Sequence, residues 1–195
     1  VLFRRQRQMC IRDRNIIIAG GVGSFEPRKL SLKETEKYED KSLFYAVKNK
    51  DEFKNKNISI FGGGDSACEE AYFLTRFASK VYLIHRRDEL RASKIMADRV
   101  LANEKVEPVW DSGITEYLTD GEGEVRSVNL ENLKTGEKSE LEVKCVFVAI
   151  GHVPNSQFVG DLVDLDENGY VLQNPHSTGT KTPGLYAAGD VADHI

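Results

Sequence analysis

The chain has 195 residues, 40% of them hydrophobic and 30% charged, with a formal net charge of −4. That length buries one sizeable core, or one core plus fragments. The acidic balance gives a nucleic-acid role no support, and no apolar run approaches the ~20 residues of a membrane-spanning helix.

Residues 1–14, VLFRRQRQMCIRDR, hold five arginines and one acid without sustained periodicity. A basic tail for RNA or an anionic surface is one reading, and an Arg-rich transit peptide is another. The stretch QRQMCIRDR is similar to the adaptor-like translated sequence at the ends of assembled gene models, which favours a non-native end. The segment is therefore set aside from the fold. Asn15–Ala19 reads as a short strand closed by Gly20, Gly21 and Gly23, and 24–40, with Pro27 and many charges, as a surface connector. Lys41–Asn57 is polar with a few aromatics and ends in a lysine-rich turn.

Beyond it the pattern sharpens. Ile58–Phe61 is an apolar strand, followed by Gly62-Gly63-Gly64-Asp65-Ser66-Ala67. Ala67, Ala71, Leu74 and Ala78 then recur on one face of a helix. Lys80–Ile84 is the next strand and delivers His85-Arg86-Arg87-Asp88. A second helix is expected over about Ser93–Asn103, with Ile95, Met96, Val100 and Leu101 apolar, and a third strand over Val106–Trp110. From Gly113 to Val143 short alternating runs, Glu124–Leu133 and Ser139–Val143, predict a hairpin or small meander. Cys145–Ile150 is continuously apolar, as an interior parallel strand should be. Gly151–Asn155 turns out of it, and Leu185–Ala188 forms a last strand ending in Gly189-Asp190. The order β-α-β-α-β, meander, β predicts an α/β nucleotide-binding domain.

Gly62-x-Gly64-x-x-Ala67 satisfies the dinucleotide fingerprint between a strand and an amphipathic helix. Its first glycine allows the tight turn, its second lets a pyrophosphate approach the backbone, and its small last residue lets helix and strand pack closely. The helix N-terminus offers the anion unpaired N–H groups and partial positive charge. An NAD site would place an acid some 20 residues on, at the ribose 2′-hydroxyl. Here the next strand ends in His85-Arg86-Arg87, with Arg91 close behind, and guanidinium groups suit a 2′-phosphate. NADPH is expected over NADH. Asp88 lies beyond the arginines and is expected to pair with one of them.

Three dispersed cysteines, Cys10, Cys68 and Cys145, and four dispersed histidines give neither a disulfide framework nor a metal-ligand spacing. No metal and no side-chain acid or base for catalysis is called for. A reducing compartment, the cytoplasm, is expected, with Cys68 and Cys145 as buried structural thiols.

GGGDSACEEA…SKVYLIHRRDELRASK, FVAIGHVPN and TPGLYAAGDVADH together closely resemble the low-molecular-weight thioredoxin reductases, from about Ile58 to Ile195. That resemblance implies FAD and NADPH as cofactors and a Rossmann-like NAD(P)-binding domain, a parallel sheet plus β-meander, inserted in a partial FAD-binding domain. By domain, with 1–14 read as a non-native end, it implies an FAD-domain remnant and hinge over 15–41, the NADPH-binding domain over 42–150, and a C-terminal FAD-domain remnant over 151–195. Cofactor contacts are implied at Gly62, Gly63, Gly64, Asp65, Ser66, Ala67, His85, Arg86, Arg87, Arg91, Ile150, Gly151, Gly189 and Asp190. His85 and the three arginines would bind the 2′-phosphate, and Asp190 the flavin's ribityl chain; on its own Asp190 reads equally as a helix cap. Upstream, IIIAGGVGSFEPRKL…YEDKSLFYAVKN resembles the ferredoxin–NADP reductases built on the same plan. The redox CxxC of the thioredoxin reductases aligns with Tyr45 and Lys48, so no dithiol stands there. A true hybrid enzyme and two genes joined at GGGDSA both fit this mixture. Nothing before Gly62 supplies the FAD fingerprint, and the chain stops before the helix that would close a flavin site. The resemblance implies hydride transfer from NADPH to flavin and onward to a ferredoxin or thioredoxin-like protein, in a homodimeric parent. Hinges are implied near Lys41–Phe44 and Gly151–Asn155. The reading from another class is a non-catalytic NADPH-binding module or sensor.

Overall fold

The computed structural model describes residues 15–21, 27–33, 35–119 and 124–192. Segment 1–14 with Cys10, the continuation of the first glycine turn through Gly23, and the last residues with His194 lie outside the described residues. Two compact units divide the chain: residues 27–151 form the larger, and the described parts of 1–26 and 152–195 the smaller.

The larger unit opens with a single helical turn, α1 (Thr35–Tyr38), and a two-residue strand, β2 (Leu43–Phe44); the first strand of the chain, β1 (Ile16–Ile18), belongs to the smaller unit. Then come β3 (Asn57–Gly62), α2 (Asp65–Leu74), β4 (Lys80–Ile84), α3 (Lys94–Leu101) and β5 (Val106–Val109). An antiparallel meander follows, β6 (Ser112–Thr119), β7 (Val125–Asn132) and β8 (Lys138–Glu142), before β9 (Cys145–Ala149) returns to the main sheet. That sheet is parallel throughout, in the order β2-β9-β3-β4-β5. The α/β class with a parallel sheet and a meander is the one the sequence implied.

Strands covered on both faces need continuous apolar runs. β9 supplies one, with Cys145, Val146, Phe147 and Val148 all buried, and in β3 Ile58 and Ile60 are buried on either side of the buried Ser59. The alanine stripe of α2 behaves as its spacing predicts: Ala67, Ala71 and Leu74 are fully buried, and Ala78 nearly so, just past the helix end. In α3 only Val100 is buried, whereas Ile95 is 75% exposed. A second core fills the space between sheet and meander, where Tyr38 meets Tyr117 edge-on at 5.9 Å among Leu43, Val128 and Val146.

That second core bears on two expectations. Within 24–40, read as a surface connector, α1 buries both Thr35 and Tyr38, and Leu30, Leu32 and Tyr38, in the stretch assigned to the other domain and hinge, pack into the core between sheet and meander. Lys41–Phe44, read as a hinge, contains β2, whose Leu43 and Phe44 are buried in register with Val146 and Phe147.

In the smaller unit β1 (Ile16–Ile18) pairs parallel with β10 (Leu185–Ala187). Ile18, Val159, Val163, Val171, Leu185, Ala187 and Val191 form its core. Among the described residues no helix is long and apolar enough to cross a membrane.

Cys68 and Cys145 are buried. Burial, reinforced by Asp65 and Glu69, pushes the Cys68 thiol up to about 11, and burial does the same for Cys145 against the opposing charge of Lys56. The thiolate is the reactive form. In a Cys10→Ser background, both thiols are expected to label in the native protein at pH 8 about a hundredfold more slowly than a free cysteine. Labelling should rise as pH approaches 11 or on unfolding; a fast-labelling thiol at pH 8 would contradict the burial.

Candidate functional site

The glycine turn joins β3 to α2, and its three glycines do different things. A Cβ on Gly62 would lie 2.3 Å from the Ala149 carbonyl oxygen on β9 and 2.8 Å from the Ala67 Cβ. Gly62 is therefore where sheet and helix touch. Gly64 has nothing within 4 Å of an added Cβ and is the N-cap of α2, with no side chain capping the helix. Asp65 and Ser66, the first two residues of α2, are exposed, and their N–H groups open the helix without a side-chain cap and with the positive end of the helix dipole behind them. Ala67 is fully buried against β3, as its place in the fingerprint demands.

The segment leaving β4 closes back on this turn. Gly63 O accepts the N–H groups of Arg91 at 2.7 Å and Ala92 at 3.1 Å. One step on, the Asp65 carboxylate accepts both the N–H and the Oγ–H of Ser93, each at 2.9 Å. Asp65 thus stitches the start of α2 to the start of α3. Arg86, Arg87 and Arg91 are exposed, and none of their guanidinium groups takes part in an ion pair shown among the described residues.

Asp88 pairs with none of Arg86, Arg87 and Arg91, which corrects the expectation. Its carboxylate takes the Lys134 ammonium at 2.6 Å, and the same ammonium reaches Asp111 at 3.0 Å. The hydrogen bond from Lys134 holds Asp88 below the usual carboxylate range. The three guanidinium groups are left without that internal counter-charge. Lys134 sits on the turn between β7 and β8, far along the chain, and nothing in its own neighbourhood announces the contact. Ser93, by contrast, had a local signal, a hydroxyl residue just before a helix, but its partner is Asp65 rather than its own helix.

His85 is placed differently from the arginines beside it. Its side chain is buried, at 6% exposure, and its Nε2 has no hydrogen-bond partner among the described residues. Burial pulls its pKa down, the Arg86, Arg87 and Arg91 charges add to that, and a hydrogen bond to the Glu89 backbone works the other way.

Ile150 and Gly151 follow β9. Ile150 packs at the edge of the second core, and Gly151, at φ +95°, accepts the Arg28 N–H through its carbonyl at 2.9 Å. In the smaller unit Gly189, at φ +76°, and Asp190 are both exposed after β10. Where a cysteine pair would align, the Tyr45 hydroxyl donates to Glu39 and Lys48 pairs with Asp40. An open recess of about 620 Å³ lined by Lys48, Lys50, Glu69, Glu70 and Phe73 takes in none of the glycine or arginine residues. Burial, with Glu69 beside it, raises the Glu70 carboxyl there.

Residues 5–195 match the family described as pyridine nucleotide-disulphide oxidoreductase. The chain is 50% identical over 142 residues to "Thioredoxin reductase 1, mitochondrial" of Arabidopsis thaliana, covering 72% of this chain and 38% of that protein. To the thioredoxin reductase of Chlamydia pneumoniae it is 49% identical over 141 residues, covering 72% and 45%. Two solved thioredoxin reductases, from Lactococcus lactis in the FR conformation and from T. acidophilum, are similar with TM-scores of 0.84 and 0.81. Their identities are 38% and 27%, and each match covers 93% of this chain and 58% of the other. The chain thus spans less than half the length of these two curated relatives.

Proposed function

Because this chain belongs to the pyridine nucleotide-disulphide oxidoreductase family, we propose that its larger unit binds NADPH as part of a flavin-dependent oxidoreductase. The diphosphate lies over Gly64, against the uncapped N–H groups of α2. Arg86, Arg87 and Arg91 grip the 2′-phosphate. One observation above the others supports this reading: Gly63 O holds the N–H groups of Arg91 and Ala92, so arginine loop and glycine turn are one piece. Residues with an open cradle at one end and, at the other, guanidinium groups without an ion pair among the described residues fit a dinucleotide bearing an extra phosphate.

When bound, NADPH supplies a hydride and FAD is its acceptor. The protein's part is to bind and orient. Ile150 and Gly151 border the nucleotide at the end of β9, and Gly189 with Asp190 contributes to the flavin side. With Tyr45 and Lys48 at the positions of the cysteine pair, the chain supplies no thiol relay there, and the electrons pass to a ferredoxin or another redox protein. The reading applies to the whole protein, as a cytoplasmic homodimer.

Titration of the purified chain with NADPH and NADH, followed by nucleotide fluorescence, tests the site. NADPH is expected to bind at least about tenfold more tightly, the ~1.4 kcal/mol that a charge-assisted contact readily supplies. Equal affinities would remove the 2′-phosphate from the argument. A yellow preparation with a flavin spectrum supports the oxidoreductase, whereas a colourless one that binds NADPH supports a binding module.

A further inference from the structure

The fingerprint leaves its second position open to any residue, yet in this fold Gly63 has the least room of the three glycines. A Cβ there would fall 2.2 Å from Nδ1, 2.3 Å from Cε1 and 2.6 Å from Cγ of His85. The imidazole lies directly under the turn. Its backbone is clamped on the opposite side, where His85 N donates to Val109 O at 2.9 Å and its carbonyl accepts from Ser112 N at 3.0 Å. From there the chain passes through Arg86 and Arg87 and closes on Gly63 O at Arg91 and Ala92. The ring of the loop's first residue therefore fills the inside of the loop it begins.

A group in that position has no access to a ligand. Nε2 has under 1 Å² of accessible surface and no partner among the described residues, so a phosphate cannot reach it. We propose that His85 is a positioning residue, a spacer whose ring sets the separation of the glycine turn from the arginine loop, and that Gly63 is glycine because that ring occupies its side-chain space. The resemblance assigns His85 to the phosphate alongside the arginines; the geometry assigns it to the frame that aims them. This inference rests on the NADPH reading of the same site.

A steric swap tests it. Four versions of the full chain are compared, namely wild type, Gly63→Ala, His85→Ala and the double variant, each titrated with NADPH and NADH well below its own melting temperature. Gly63→Ala is expected to lower the melting temperature and to weaken both nucleotides at least tenfold, because the turn is pushed off the ring. Removing the ring makes room, so adding Gly63→Ala to His85→Ala should change affinity less than threefold. His85→Ala alone should lower the NADPH-to-NADH ratio at least threefold, because the arginine loop loses its spacer. An equal penalty for Gly63→Ala in both backgrounds overturns the proposal. So does a His85→Ala protein whose NADPH-to-NADH ratio stays at the wild-type value, since a spacer that can be removed without effect aims nothing. If wild type binds neither nucleotide, the function reading fails by itself, and the melting temperatures of the four proteins still decide whether ring and turn are coupled.

Discussion

Gly62→Ala is expected to destabilise the larger unit by about 3 kcal/mol, the upper part of the range for overpacking a tight core. For a chain of this size that is a drop of roughly 6–12 °C in melting temperature. The added methyl would sit 2.3 Å from the Ala149 carbonyl oxygen and 3.1 Å from its carbon. Both are backbone atoms of β9, held in register opposite Gly62 by the sheet, and neither can rotate aside as a side-chain tip could. The Ala67 Cβ at 2.8 Å blocks retreat toward α2. Either strand or helix must move, and α2 carries the N–H groups assigned to the diphosphate. Gly64→Ala provides the contrast. Nothing lies within 4 Å of its Cβ, so the melting temperature should stay within a few degrees while NADPH and NADH weaken together. Thermal unfolding followed by circular dichroism, with titration of both nucleotides, reads the two roles apart. A Gly62→Ala protein that melts with wild type would mean that sheet and helix have slack at the one place where they are drawn tightest.

The second large effect concerns cofactor choice. Replacing Arg86 and Arg91 by alanine should cost about 1.5–3 kcal/mol of NADPH binding per guanidinium, the usual worth of a hydrogen bond to a charged group. That is roughly 10–150-fold each. NADH, lacking the 2′-phosphate, should lose less than a factor of three. Stability should hardly change, because both side chains are exposed and neither guanidinium has an ion pair to lose among the described residues. The measurement belongs at low ionic strength, where exposed charges are least screened. Parallel losses for the two nucleotides would show that the arginines serve something other than the extra phosphate.

Much of this arrangement was legible in the chain itself. The apolar runs of β3 and β4, the alanine period of α2 and the glycines between them are local patterns, and each forms the element it predicts. β6 escaped notice because register shifts at Ile114/Glu116 and Leu118/Thr119 break the alternation that would have marked it. α1 and β2 are too short to show a period, and only burial against the meander reveals them.

Sequence alone determined the order strand, glycine turn, helix, strand, arginine turn, because those signals act between residues a few positions apart. Tertiary structure alone decided which charges stay unpaired and which glycine is confined. Asp88 meets Lys134 across 46 positions, and Gly62 meets Ala149 only because the sheet order sets β9 beside β3. The His85 ring lies beneath Gly63 because β4 runs beside β3 and its loop folds back onto the turn. Such contacts depend on strand order and on close-packed volume, and no window of neighbouring residues encodes either.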